Sequence, residues 1–243
     1  MPKLVATSEM KLEACNKLEL RFKQFGLTVT DITILRVGSG SRPHVARVNV
    51  DGQYGVVKDH SGCDPLFSRL LGKLLTRREI RALYQLDDVE GVPKVIRVFD
   101  ARSFLMTDLD AVPFRGSVME KDQWSVFFPK LETLIHRIHA EGVAHCDLRS
   151  LDNTLVTAKG NPAIVDFVGC FRRGKNWNIL TCWMFRRLCA VDYSAIGKQK
   201  KVIAPWLLSS NEFIERRQES VFSRLARNTG VIIRKLARSM FTR

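Results

Sequence analysis

The groups best suited to chemistry lie in the second half of the sequence. The run His145-Cys146-Asp147-Leu148-Arg149-Ser150-Leu151-Asp152-Asn153 is followed, after twelve residues, by Asp166-Phe167. Transfer of a phosphoryl group asks little covalent chemistry of a protein. It needs a carboxylate to orient the attacking hydroxyl and oxygen ligands to hold Mg2+ against the phosphates. Asp147, Asn153 and Asp166 are side chains of those types, and ligands of this kind must sit on loops held by a rigid scaffold.

The flanking sequence supplies that scaffold. Residues 121–141 place Val126, Phe127, Leu131, Leu134, Ile135 and Ile138 at helical spacing, and Gly142 stops the helix just before the loop. The twelve residues after Asn153 read as a hairpin, with strands Thr154–Thr157 and Ala163–Val165 and a Lys159-Gly160-Asn161-Pro162 turn. Earlier in the chain, residues 8–24 read as a helix capped by Thr7 or Ser8 and ending near Gly26. Asp51-Gly52 divides two alternating runs as a hairpin turn. Residues 65–86 read as a helix carrying Leu70, Leu71, Leu74, Leu75, Ile80 and Leu83, and residues 92–106 return to short strands. Strands followed by a long helix predict an α+β protein.

His-x-Asp-Leu, a following Asn, a hairpin and Asp-Phe together resemble the catalytic and metal-binding loops of the protein-kinase-like superfamily, with Asn153 thirteen residues before Asp166. The resemblance covers about residues 34–170. It places Gly38-Ser39-Gly40 where a loop would cover phosphates and Val56-Val57-Lys58 on the third strand. Glu79 falls on the helix that pairs that lysine, and Phe104–Leu109 falls at the hinge. What it implies is a bilobal fold, with a helical extension over 1–30, a β-rich N-lobe over 31–109 and a reduced helical C-lobe over 110–243. ATP and Mg2+ would bind between the lobes, Asp147 would act on the acceptor hydroxyl, and Asn153 and Asp166 would hold the metal. Lys58, fixed by Glu79, would contact the phosphates, and Arg149 would help neutralise the transferring group.

Several positions depart from the family pattern. One extra residue separates Asp147 from Asn153, so the usual step lands on Asp152; the spacing to Asp166 favours Asn153, with Asp152 the alternative. Asp166-Phe167-Val168-Gly169 carries an inserted valine, and Cys146 stands where many members use an arginine to read a phosphorylated loop. The peptide-binding half of a conventional protein kinase is not recognisable. This reduced form resembles bacterial kinases of lipopolysaccharide core sugars (heptose or Kdo) and RIO-type atypical kinases. The first resemblance implies a sugar hydroxyl of a lipid-linked glycan as acceptor, the second a protein or an ATPase activity. A non-catalytic nucleotide-binding scaffold is the third reading.

Composition bounds the partners. The 243 residues are 45% hydrophobic and 26% charged, ordinary for a globular chain. The net charge of +14 is unevenly spread: residues 1–170 carry 23 basic and 21 acidic side chains, residues 171–243 carry 16 and 4. A basic amphipathic stretch runs through Val221, Phe222, Leu225, Ile232 and Leu236. Such a tail suits an anionic membrane or glycan, with nucleic acid or the ribosome ranked behind. The six cysteines form no Cys-x-x-Cys pair, residues 1–6 carry no signal-like apolar run, and no run approaches a membrane span. The expected location is cytoplasmic, peripheral at most to the inner face of a membrane.

Overall fold

The fold begins, in a computed structural model that describes residues 7–174 and 177–208, with helix α1 (Ser8–Gln24). The Thr7 hydroxyl accepts a hydrogen bond from the Met10 amide at 3.4 Å, satisfying one orphan donor of the first turn. The pairs Glu13–Lys17 and Glu19–Lys23 support the exposed face at i,i+4 spacing. Gly26 ends the helix at φ +70°: its amide reaches the Lys23 carbonyl at 2.9 Å, while the Leu27 amide reaches the Phe22 carbonyl at 3.1 Å. This left-handed stop is one that a side chain would resist. The inward face carries Ala14, Leu18 and Phe22 at four-residue spacing.

A five-stranded antiparallel sheet follows, ordered β1-β2-β3-β5-β4. Its strands are β1 (Val29–Arg36), β2 (His44–Val50), β3 (Gln53–Asp59), β4 (Val95–Asp100) and β5 (Ser103–Met106). Asp51 and Gly52 join β2 to β3 with φ of +50° and +82°, the pair of positive values that a type I′ turn requires. Strand β2 alternates, so Ala46, Val48 and Val50 share one core with Leu18, Phe22 and Leu27 of the helix and Val57 and Leu105 of the sheet. Phe22 meets Phe99 edge to face, ring centroids 4.7 Å apart.

Between β3 and β4 the chain makes a single α-turn, α2 (Pro65–Phe67), then a π-helical segment, Ser68–Gly72, then α3 (Lys73–Gln85). The uniform stripe expected over 65–86 is therefore broken. The wider π-turn rotates the faces, leaving Leu74 60% exposed, while the buried line runs Gly72, Thr76, Glu79, Leu83, Leu86.

Among the described residues, those up to Arg81 with Pro93–Asp108 form one compact unit; Ala82–Val92 with Leu109 to Leu208 form the second. The second unit contains β6 (Ala111–Pro113), α4 (Lys121–Ala140), β7 (Val143–Ala144), β8 (Thr154–Thr157), β9 (Pro162–Ile164), β10 (Phe171–Arg172) and α5 (Ile179–Ile203). Glu120 and Gln123 close a capping box at the start of α4, and Gly142, at φ +76°, follows its end. Val126, expected on the buried face of α4, is exposed; Trp124 and Phe128 join the core instead, packed around Phe114. Strands β6, β8 and β9 form one small sheet and β7 with β10 another. Strand β9 starts one residue earlier than expected, and Val165 gives its amide to the Asn153 carbonyl at 3.0 Å on the way into the Asp166 loop. The class is α+β, a sheet-rich unit and a helical one. The basic stretch over 221–238 lies outside the described residues.

Phe22 is fully buried at the seam between α1 and the sheet. Phe22→Ala should destabilise the protein by about 3–5 kcal/mol, read as a lower denaturation midpoint at unchanged m-value. An unchanged midpoint would show that α1 contributes nothing to that core.

Candidate active site

Helix α4 and β7 deliver the chain to a loop that is mostly backbone-fixed. His145 is buried and bridges two segments: its Nδ1 accepts from the Asp147 amide at 3.2 Å, and its Nε2 lies 3.0 Å from the Val165 carbonyl. Together these define the neutral tautomer with the proton on Nε2. The ring also meets Phe167 edge to face at 4.8 Å. One imidazole thus holds residues on both sides of Asp166 and positions the amide of Asp147, a structural role.

Asp147 and Arg149 are exposed, while Leu148 between them is buried. Asn153 is buried, and its Nδ2 donates to the Asp147 carbonyl at 2.9 Å and to Asp147 Oδ2 at 3.4 Å. These bonds set the Asn153 side chain against Asp147. Asp166 is half-buried with φ +70°, a left-handed conformation that aspartate tolerates better than most residues.

The sequence reading missed the groups that hold this loop. Asp192, fully buried on α5, accepts from the His145 amide at 2.7 Å and the Cys146 amide at 2.8 Å, and lies 3.0 Å from His139 Nε2. Cys146 adopts φ +66°, a strained value for this residue type, and the bonds to Asp192 over-determine it. Two turns further along α5, buried Gln199 donates to the Leu148 carbonyl at 2.6 Å and to Thr154 Oγ1 at 3.0 Å. A lone acid among Leu188, Cys189, Ala190 and Val191 was the available signal, since an acid on an apolar stripe must find donors. Burial, and next the Asp192 charge, push the neighbouring Cys189 thiol up to about 12.

In the sheet-rich unit, Lys58 Nζ stands 2.7 Å from Glu79 Oε1, the two side chains only 3% and 1% exposed. Neither is a surface charge. Burying such a pair is costly in desolvation, so it fixes an ammonium in place more than it stabilises the fold. The loop at Gly38 and Gly40 is a tight turn in which Ser39 and Arg42 exchange backbone hydrogen bonds at 3.1 and 3.0 Å. A Cβ on Gly38 would stand 2.8 Å from the His44 amide nitrogen, and Gly40 has φ +57°. The Gly38 amide donates to His44 Nδ1 at 2.9 Å. Burial chiefly holds the His44 imidazole below its ordinary range; Asp59 pulls it up, Lys17 pushes it down and Glu13 pulls it up.

Among the described residues no three His, Cys, Asp or Glu side chains gather as a preformed metal cage. Mg2+ is commonly held by one or two carboxylates with substrate phosphates and water completing its shell. The Asp166 carboxylate and the amide oxygen of Asn153, whose nitrogen is committed to Asp147, are hard oxygen donors that fit such an ion.

No protein-family model matches the chain, and no curated protein matches it. Solved structures do. The Rio2 kinase of Chaetomium thermophilum, in a complex with ADP, Mg2+ and phosphoaspartate, is similar with a TM-score of 0.57 and 19% identity, over 86% of this chain and 67% of that one. A second structure of that kinase gives 0.54 and 18%, over 83% and 66%. The chain spans about two thirds of the length of these structures. The likeness shows the fold: this chain has the protein-kinase-like fold seen in those Rio2 kinase structures.

Asp192→Ala leaves two backbone amides without an acceptor and should cost about 3–5 kcal/mol. Hydrogen exchange should accelerate at His145 and Cys146; protection unchanged there would refute the role. For His44 the sign follows from a folded pKa below the unfolded value near 6.5: its contribution is complete above that pH and is lost as pH falls through and below it. His44→Asn, which keeps an acceptor near the Nδ1 position, should flatten the loss of stability as pH falls below about 6.5, measured by denaturant titration at stepped pH.

Proposed function

We propose that the protein is a Mg-ATP-dependent phosphotransferase acting on an alcohol hydroxyl. The observation that carries this is the Lys58–Glu79 pair at 2.7 Å, a buried ammonium held where only a demand for fixed positive charge justifies its desolvation. In this reading Lys58 contacts the ATP phosphates, and Gly38 and Gly40 shape the turn that covers them. Asp147 orients the acceptor hydroxyl and takes its proton, with its backbone and carboxylate steadied by Asn153. Asn153 and Asp166 hold Mg2+, which when bound neutralises charge on the phosphate oxygens. Arg149, exposed two residues from Asp147, meets the transferring group.

The acceptor we favour is a sugar hydroxyl of a lipid-linked glycan, drawn to the protein by the +12 balance of residues 171–243. A RIO-like protein kinase or ATPase is the second reading, favoured by the likeness to Rio2 kinase, whose solved complex holds ADP and Mg2+.

Purified protein should transfer label from γ-labelled ATP in the presence of Mg2+ and cell-envelope extract. Asp147→Asn should lower the rate by about 10²–10⁴-fold with its denaturation midpoint retained; Asp166→Ala and Lys58→Met should abolish transfer, and Lys58→Met, which strands the buried Glu79 carboxylate, should also lower the midpoint. Label in the glycan fraction supports the favoured acceptor, and label confined to protein assigns the RIO-like one. Label unaffected by all three substitutions would sink the phosphotransferase reading.

A further inference from the structure

The first turns of α5 show water a face that a soluble helix ordinarily hides. Ile179, Leu180, Trp183 and Met184 are 81%, 66%, 44% and 37% exposed, and Trp177 just before the helix is 77% exposed. At i, i+1, i+4 and i+5 these helical residues make one continuous stripe. The inward stripe of the same helix holds Phe185, Asp192, Ile196 and Gln199, and the outward stripe stays exposed. A grouped set of large apolar side chains marks an interaction site in a way that scattered ones do not.

The charge around this stripe selects the partner. Arg186 and Arg187 are exposed on this stretch of α5, and no Asp or Glu occurs from Phe171 to Val191. The Arg187 guanidinium lies over the Trp183 ring, 5.4 Å from its centroid, so the cationic and apolar groups are interleaved. Tryptophans at the rim of an apolar stripe flanked by arginines are the groups that settle at the boundary between lipid headgroups and acyl chains. No described helix is long and apolar enough to cross a bilayer, so the contact is a surface one.

We propose that the exposed face of Trp177–Arg187 is a docking surface for an anionic lipid bilayer, with Ile179, Leu180, Trp183 and Met184 entering the interface and Arg186 and Arg187 meeting lipid phosphates. The inference deepens the favoured reading, because the surface brings the protein to the phase that contains a lipid-linked acceptor. It does not depend on phosphoryl transfer taking place.

The test is flotation of the full chain with vesicles of phosphatidylcholine alone and of phosphatidylcholine mixed with phosphatidylglycerol. The chain should float with the anionic vesicles, less so as salt rises, and not with the zwitterionic ones. Leu180→Ser combined with Trp183→Ser should weaken that partition by about tenfold or more, as should Arg186→Glu with Arg187→Glu. Both pairs are exposed, so the denaturation midpoint should stay unchanged and report intact folding. Undiminished flotation of both variants overturns the proposal, as does equal binding to the two kinds of vesicle. Concentration-dependent dimers that the Leu180/Trp183 variant abolishes would assign the face to a second copy and likewise overturn it. The readout is partition, so an inactive enzyme that floats as described still supports this surface.

Discussion

A carboxylate without water must be given hydrogen-bond donors, and in this molecule the donors are the backbone amides of the loop that carries the candidate chemistry. Asp192 takes the amides of His145 and Cys146 and lies against His139. Gln199 repeats the arrangement on the far side of the loop, through Leu148 and Thr154. Once α5 is docked, the path from Ala144 to Thr154 has little freedom left. His145 then passes the constraint onward to Val165 and Phe167, on either side of Asp166. The positions of Asp147, Asn153 and Asp166 follow from one buried acid, one buried amide and one neutral imidazole.

The same economy governs the sheet-rich unit. Glu79 lies on the buried line of α3 because the π-turn at Ser68–Gly72 shifts the helical faces, and Lys58 sits on a strand packed on both sides. Each charge is tolerable in the interior only because the other is there. The glycine turn is tied to the sheet through the Gly38 amide and His44, and to the start of α2 through the Gly40 carbonyl, which accepts from the Asp64 amide at 2.9 Å.

What the sequence made legible was what rests on local rules. The Asp51-Gly52 turn, the Gly26 and Gly142 helix stops and the hairpin after Asn153 depend on backbone preferences written within a few residues. The candidate site residues were singled out by their resemblance to protein-kinase-like loops, and the structure brings two of them, Asp147 and Asn153, into hydrogen-bond contact. The π-turn was not readable, because no residue announces it and its effect shows only as a change of phase between Leu74 and Glu79. Val126 was misplaced because α4 packs two adjacent aromatics, Phe127 and Phe128, against Phe114, which turns the buried stripe toward Trp124. Asp192 and Gln199 escaped because the loop amides and carbonyl they bond lie 46 to 51 residues away, and backbone atoms leave no trace in a sequence.

Those separations bear on how the chain comes into being. A loop shaped by side chains that come 46 to 51 residues later cannot hold its form when it is first made. During synthesis, His145 through Asn153 leave the ribosome well before Asp192 and Gln199, and the strained Cys146 backbone has nothing to hold it until α5 arrives. The sheet-rich unit, whose Lys58 and Glu79 are only 21 residues apart, can be complete by then. The order of translation therefore lets the buried Lys58–Glu79 pair form before the loop at Asp147 has the side chains that hold it.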